Sequence, residues 1–455
     1  MRRLGGWLSG VAAIFSMGIQ AQSEPLNLHF MEIGDIREPE NVLFTAHPFT
    51  LENSRILLES SDDRPSLWQM PTDAIQLDDK IAIYYQRVEK EHENYVDQRT
   101  WCLGYLKPDG SFERPDLNLF DQSWPGPHNV VLQRSPHTPT WGGFNVFQVV
   151  PDPDGGWISL YWDQPAEGQA GAMIASSTDG IHWTKKTEDK AVFTEHNDAY
   201  SLIQSGDEYL LYQTRLLEWP EKPFEDNLPG KRRSLSIRRS SDLHEWTPQE
   251  DILEPDASDA PTTEFYLINV FRYADRYAGI VMKYYADPTQ PKKHSGILKY
   301  ELVTSPDGIE WRRPYRETDM AAWSYAAPFE MDNRLCLAAH NERDIRLYWL
   351  RKDGLVSCGT EGEGSFWTQP IEFPKGPLTL NADCSEGSIQ VEVLDQKGVS
   401  FEGLENPILT LEGQDSVDLA LEWSGSDRTK LEGEAVHLKF TLSNAQVYSL
   451  YEATE

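Results

Sequence analysis

A run of seven residues, Ser177-Thr178-Asp179-Gly180-Ile181-His182-Trp183, returns later in the chain with the same order of chemistry. It recurs as Ser241-Asp242-Leu243-His244-Glu245-Trp246 and as Ser305-Pro306-Asp307-Gly308-Ile309-Glu310-Trp311. A weaker copy, Pro108-Asp109-Gly110-Ser111-Phe112, lies upstream. Asp-Gly is a hairpin-turn dipeptide, because the carboxylate accepts turn amides and glycine takes positive φ without a Cβ clash. The aromatic residue that follows is large enough to bury against a neighbouring sheet. One such turn constrains little, but copies at a period of roughly 65 residues, each between β-rich segments, predict a radial array of four-stranded sheets, a β-propeller.

Five such units fit between about residue 65 and residue 352 on the strand–turn–strand patterns of the sequence. The first holds Trp68 to Leu77 and Ile81 to Gln86, the second Trp141 to Trp162, and the third Thr194 to Arg215. The fourth runs from Thr262 to Met282 and the fifth from Tyr325 to His340. Past Arg351 the turn motif stops, and short alternating runs such as Ser388–Leu394 and Val436–Leu442 predict an antiparallel β-sandwich. The predicted fold is therefore all-β, with a signal peptide over 1–22, a five-bladed propeller over 23–350 and a C-terminal sandwich over 351–455.

The leader reading rests on Arg2 and Arg3 ahead of an uncharged, mostly apolar stretch from Leu4 to Ile19. It points to a secreted or periplasmic protein with no inserted span. The formal charge of −32 speaks against a nucleic-acid partner, since phosphate binding needs a basic surface. Four cysteines, Cys102, Cys336, Cys358 and Cys384, are too few for a disulfide scaffold, although Cys358 and Cys384 could pair within the C-terminal domain. Zinc-ligand spacing, a phosphate-binding glycine loop and a nucleophile elbow are all missing from the sequence.

In a propeller the innermost strands ring a central channel, and polar residues at their starts converge on one mouth. Asp73, Asp198 and Glu264 stand at such starts in the first, third and fourth units, with Asp62 or Asp63 as substitutes for Asp73. Converging carboxylates suit glycoside hydrolysis, in which one protonates the leaving oxygen and the other activates water or attacks the anomeric carbon. His196, Arg215, Arg238 and His340 complete the predicted substrate-binding rim, with Arg215 as a binder of a sugar hydroxyl or acidic group.

Five units, Asp-Gly-x-x-Trp turns, inner-strand carboxylates and a trailing sandwich together resemble the five-bladed glycosidases that include glycoside hydrolase families 32, 43 and 117. The stretch Leu350–Ser357 with Asn381-Ala382 is similar to bacterial family-32-like and family-43-like proteins. The resemblance implies that Glu264 is the acid, that Asp198 is the middle Asp, and that a base or nucleophile lies one blade earlier. There the chain has Asn145, so the third part would fall to Asp73 across the mouth, or the arrangement would differ from the family's. Family 117 implies a His acid, for which His196 or His340 would serve. No cofactor is required on this reading, and the sequence leaves open whether a structural Ca²⁺ sits in the channel, as it does in some relatives. Two alternatives stay open: a non-catalytic carbohydrate-binding propeller, and a sialidase-like exo-glycosidase, whose Ser-x-Asp-x-Gly-x-x-Trp boxes are one residue longer than these turns.

Overall fold

The computed structural model describes residues 25–60, 66–89, 99–120, 128–138, 143–153, 155–194, 198–224, 228–289, 295–402, 404, 409–421 and 430–453. The predicted leader lies outside the described residues. Among those described, the backbone is almost wholly β, with one 3₁₀ turn at Ile33–Asp35, and no helix is long and apolar enough to cross a membrane.

The five predicted blades are present. Their innermost strands are Ser66–Gln76, Asn145–Pro151, Tyr200–Ser205, Thr263–Tyr273 and Phe329–Met331. In each blade the chain runs outward through antiparallel neighbours, as from Tyr200–Ser205 to Glu208–Glu218, Lys231–Ser240 and Glu250–Leu253. Second strands are sandwiched between blades on both faces, which is why Ile81 to Tyr85 reads as an unbroken apolar run and is buried throughout.

The turn motif carries the geometry its residues dictate. In the second blade Asp179 Oδ1 accepts from the amides of Ile181 and His182, each at 2.8 Å, Ser177 Oγ accepts from Gly180 N, and Trp183 Nε1 donates to the Gly180 carbonyl at 3.0 Å. The Asp242 and Asp307 turns repeat these bonds, with Ser240 rather than Ser241 in the serine place of the third blade. The previous blade reads the turn: Tyr84 Oη donates to the Gly180 carbonyl at 2.8 Å and Tyr212 Oη to that of Gly308 at 3.0 Å. A Cβ on either glycine would meet that hydroxyl at 2.6 Å. In the third blade Leu243 takes the glycine place at φ +64°, and Leu160 shares its apolar cluster where the other blades have tyrosine.

Gly180→Ala, with φ +74° and the Tyr84 hydroxyl in the way, is therefore expected to cost about 1–3 kcal/mol. The denaturation midpoint of the Tyr84→Phe/Gly180→Ala pair, compared with the two single variants, checks the cause. If the hydroxyl is what clashes, the double variant loses less than the sum.

One polar side chain per blade closes the ring at a single level of the channel. Asp73 Oδ2 accepts from Val149 N at 2.7 Å and Gln148 Oε1 from Leu202 N at 2.9 Å. Ser201 Oγ accepts from Val270 N at 3.1 Å, Asn269 Nδ2 donates to the Ala326 carbonyl at 2.8 Å, and Ser324 Oγ donates to the Pro71 carbonyl at 3.4 Å. Each bond joins an inner strand, or the turn leading into one, to the next blade.

The N-terminal strands depart from the expected division. Ser54–Leu58 is the outermost strand of the fifth blade, paired with Asp344–Arg351. Asn27–His29, Ile36–Glu40 and Leu43–Ala46 belong with the C-terminal strands in a ten-stranded sheet. A propeller starting at residue 23 thus fails for residues 27–46, which pair with strands made far later in the sequence. The change at 350–351, by contrast, falls between Asp344–Arg351 of the fifth blade and Val356–Thr368 of the other sheet. The long strand Ala435–Glu452 is paired along both edges, by Val356–Thr368 and Asn27–His29 on one and by Ser388–Asp395 and Leu378–Asp383 on the other. It bends at Asn444 (φ +41°). Phe30, Phe366, Val391, Phe440 and Leu450 fill the core it helps to enclose. Cys358 and Cys384 lie in that core as free thiols, so the pairing left open by their spacing is not made.

Candidate active site

The mouth is formed where the innermost strands begin. Asn145 opens the inner strand of the second blade, and its side-chain amide reaches the third blade, donating to Asp198 Oδ2 at 3.0 Å and to the Asp198 carbonyl at 3.1 Å. Arg99, at the start of the first blade's third strand, donates to Asn145 Oδ1 at 2.7 Å and to the Phe144 carbonyl at 3.3 Å. Its guanidinium lies over Trp68, 5.5 Å from the ring centroid. Arg99, Asn145 and Asp198 thus form one directed chain of bonds across three blades. Tyr325, ahead of the fifth inner strand, lies within electrostatic reach of Asp198, Tyr266 and Arg99. Burial, reinforced by the Asp198 charge, pushes the Tyr325 and Tyr200 hydroxyls upward and keeps both protonated.

Glu264 occupies the fourth blade's place. It is 0% exposed, and both of its oxygens are bound: Lys222 Nζ donates to Oε1 at 2.7 Å and Arg233 to Oε2. Lys222 reaches it from the connection after Glu208–Glu218, and Arg233 from the next strand of that third blade. Arg233 also packs over Tyr266 and Tyr284. The segment leading into Glu264 is fixed by Arg313, which donates to both oxygens of Asp259 (2.6 and 2.7 Å) and of Glu301 (2.7 and 2.8 Å). A carboxylate covered by two cations is fixed in position but gives no direct contact to a ligand.

The remaining predicted site residues lie elsewhere. Asp73 belongs to the channel ring, 7% exposed, with its oxygens bound by the amides of Val149 and Ala74. It clasps two blades and does not open to the mouth. Arg215 is drawn outward to Asp251 in the outermost strand of its blade, at 3.0 Å. Arg238 is buried between Gln213 Oε1, the Thr247 carbonyl and the ring of Phe193. His340 donates Nδ1–H to the Gln69 carbonyl at 3.0 Å, joining the fifth blade to the first, and burial lowers its pKa, which favours a neutral ring over an acid. His196, Asp62 and Asp63 lie outside the described residues. The sequence motifs do not single out Arg99, Lys222 or Arg233. The run Lys231-Arg232-Arg233 was the available signal, three cations together in a strand of a chain with net charge −32. Among the described residues, no group of three or more His, Cys, Asp or Glu side chains is arranged to hold a metal ion.

Burial raises the Asp73 carboxyl from 3.8 to about 6 against the lowering effect of its two amide bonds. With the folded-state value above the unfolded one, the folded protein binds the extra proton. Stability from this group is therefore full below pH 3.8 and is lost as pH rises through about 6. The loss amounts to about 3 kcal/mol. Unfolding midpoints measured from pH 4 to 7 are expected to show this fall in the native protein, relative to Asp73→Asn, which lacks the titration.

Fold and site together define an all-β, five-bladed propeller protein with an oriented carboxylate at the channel mouth. No family model and no curated protein matches the chain. Solved structures of similar fold include a family 32 β-fructofuranosidase from Bombyx mori, at 12% identity, covering 88% of this chain and 94% of that one, TM-score 0.43. A glycosyl hydrolase from Bacteroides ovatus is 12% identical over 68% of this chain and 94% of its own, TM-score 0.44. A structure described with the GH130 family of mannoside phosphorylases and hydrolases is 13% identical over 71% and 96%, TM-score 0.42. Likenesses this distant carry no argument about chemistry, which rests on the residues of the site.

Proposed function

We propose that the protein is a glycoside hydrolase acting at the propeller mouth, on a plant or marine polysaccharide or an oligosaccharide derived from one. The observation that carries this reading is the Asp198 carboxylate, oriented through Oδ2 by Asn145 with Tyr325 nearby. Its other oxygen is left to exchange a proton with a glycosidic oxygen or an attacking water. Glu264, with both oxygens bound by Lys222 and Arg233, holds the fourth blade's part of the rim in place and does not itself contact the substrate. Trp68 and Tyr266 each have one face taken, by Arg99 and Arg233 respectively, and the other face is where a sugar ring would pack. The leader-like residues 1–22 support action outside the cytoplasm, which N-terminal sequencing of the mature protein would check.

Release of reducing sugar from a panel of polysaccharides and aryl glycosides, with native protein and Asp198→Asn in parallel, tests the reading. Activity lost in the variant supports it, and activity retained there removes Asp198 from the chemistry. The covering of Glu264 favours a second reading, a carbohydrate-binding propeller. Sugar binding by calorimetry, with no turnover across the panel, would establish that one instead.

A further inference from the structure

We infer that Asn145, held by Arg99, is the residue that positions Asp198, so that an amide does the ordering at the second blade and no third carboxylate is used there. This rests on the glycosidase reading for its consequence in catalysis, and on geometry alone for the positioning itself. An asparagine amide is ambiguous by rotation: flipped, it would present oxygen to oxygen against Asp198. Arg99 removes the ambiguity. A guanidinium only donates, so its 2.7 Å bond requires Oδ1 on that side and turns Nδ2 toward Asp198. The amide then holds Asp198 at two points, the side-chain Oδ2 at 3.0 Å and the backbone carbonyl at 3.1 Å. Both the carboxylate and the backbone that carries it are registered against the next blade. A carboxylate at position 145 could not do this. It has no donor for Asp198, and it would set a like charge at the same short distance.

Arg99 has a further anchor in the Phe144 carbonyl, and Gln86 Nε2 donates to that same carbonyl. The peptide that begins the second inner strand is thereby fixed from the first blade before Asn145 reaches the third. A reacting group held in its productive rotamer in advance loses no free energy to orientation when substrate arrives.

Three variants, Asn145→Ala, Asn145→Asp and Arg99→Met, read by kinetics and by crystallography test the inference. Asn145→Ala is expected to lower kcat by about ten- to a hundredfold with KM changed less than about threefold, the pattern of a lost orientation and not of lost substrate binding. Asn145→Asp, nearly the same shape, is expected to fare no better than alanine and to add a new ionisation to the pH–rate profile. Simple loss of packing would instead be rescued by aspartate. In crystals, the Asp198 carboxylate is expected in one position in the native protein and in displaced or split positions in Asn145→Ala and Arg99→Met. A single native-like Asp198 position in both variants overturns the inference, whatever the activity. If the native protein turns over nothing, the glycosidase reading falls and the crystallographic result still decides the positioning. Should Asn145→Ala fail to fold, Arg99→Met carries the same test one bond further back.

Discussion

Asp198→Asn is expected to keep the fold and lose hydrolysis, with kcat lower by about a hundred- to ten-thousandfold, the range that a positioned proton-transfer group contributes. The fold survives because the amide oxygen introduced by the substitution can still accept the Asn145 Nδ2 bond, and the bond to the backbone carbonyl of residue 198 is untouched. What is lost is the ionisable oxygen. Circular dichroism and the denaturation midpoint should match those of the native protein while reducing-sugar release falls. A variant as active as the native protein would place the reacting group outside the Arg99–Asn145–Asp198 chain.

Glu264→Gln is expected to behave differently, as a stability variant. It leaves Lys222 and Arg233, with side chains 2% and 7% exposed, facing a neutral amide in place of a carboxylate. Breaking one side of a buried ion pair costs about 3–5 kcal/mol, because the desolvation of the partner is no longer offset. The denaturant midpoint should drop accordingly, and Lys222→Met added to Glu264→Gln should recover part of the loss. Loss of activity in Glu264→Gln alone would therefore not identify a catalytic acid. Equal midpoints for the native protein and Glu264→Gln would show that Lys222 and Arg233 are compensated elsewhere.

The blades were legible because the Asp-Gly-x-x-Trp turn is local chemistry. Asp179, Gly180 and Trp183 satisfy one another within a few residues, so the sequence displays the whole device. The site was legible in part. Asp198 and Glu264 do lie at inner-strand starts, but Asp73 sits level with Gln148, Ser201, Asn269 and Ser324, and a β-bulge between Pro71 and Asp73 shifts its register. Spacing to the next turn cannot reveal a bulge. Nor could it reveal that Glu264 is covered by Lys222 and Arg233, because those contacts cross from one blade to the next. In the sequence alone Asn145 is a gap in a row of carboxylates. Its part emerges only when Arg99 and Asp198, far apart in the chain, are brought to either side of it. The C-terminal sheet was visible as alternation, but alternation does not say which strands pair, and three of its strands come from residues 27–46.

The pairing of Ser54–Leu58 with Asp344–Arg351, and of Asn27–His29 with the end of Ala435–Glu452, has a consequence for the order of events during synthesis. Among the described strands, those made first are among the last to find partners, since the strands they need are made hundreds of residues later. Blades two to four can form as they emerge, from neighbours close in sequence. The ring itself, and with it the mouth, is committed only after the fifth blade has been made and has captured Ser54–Leu58. A chain halted before residue 435 would carry folded blades together with an orphaned N-terminal edge strand, a species exposed to aggregation and to proteolysis.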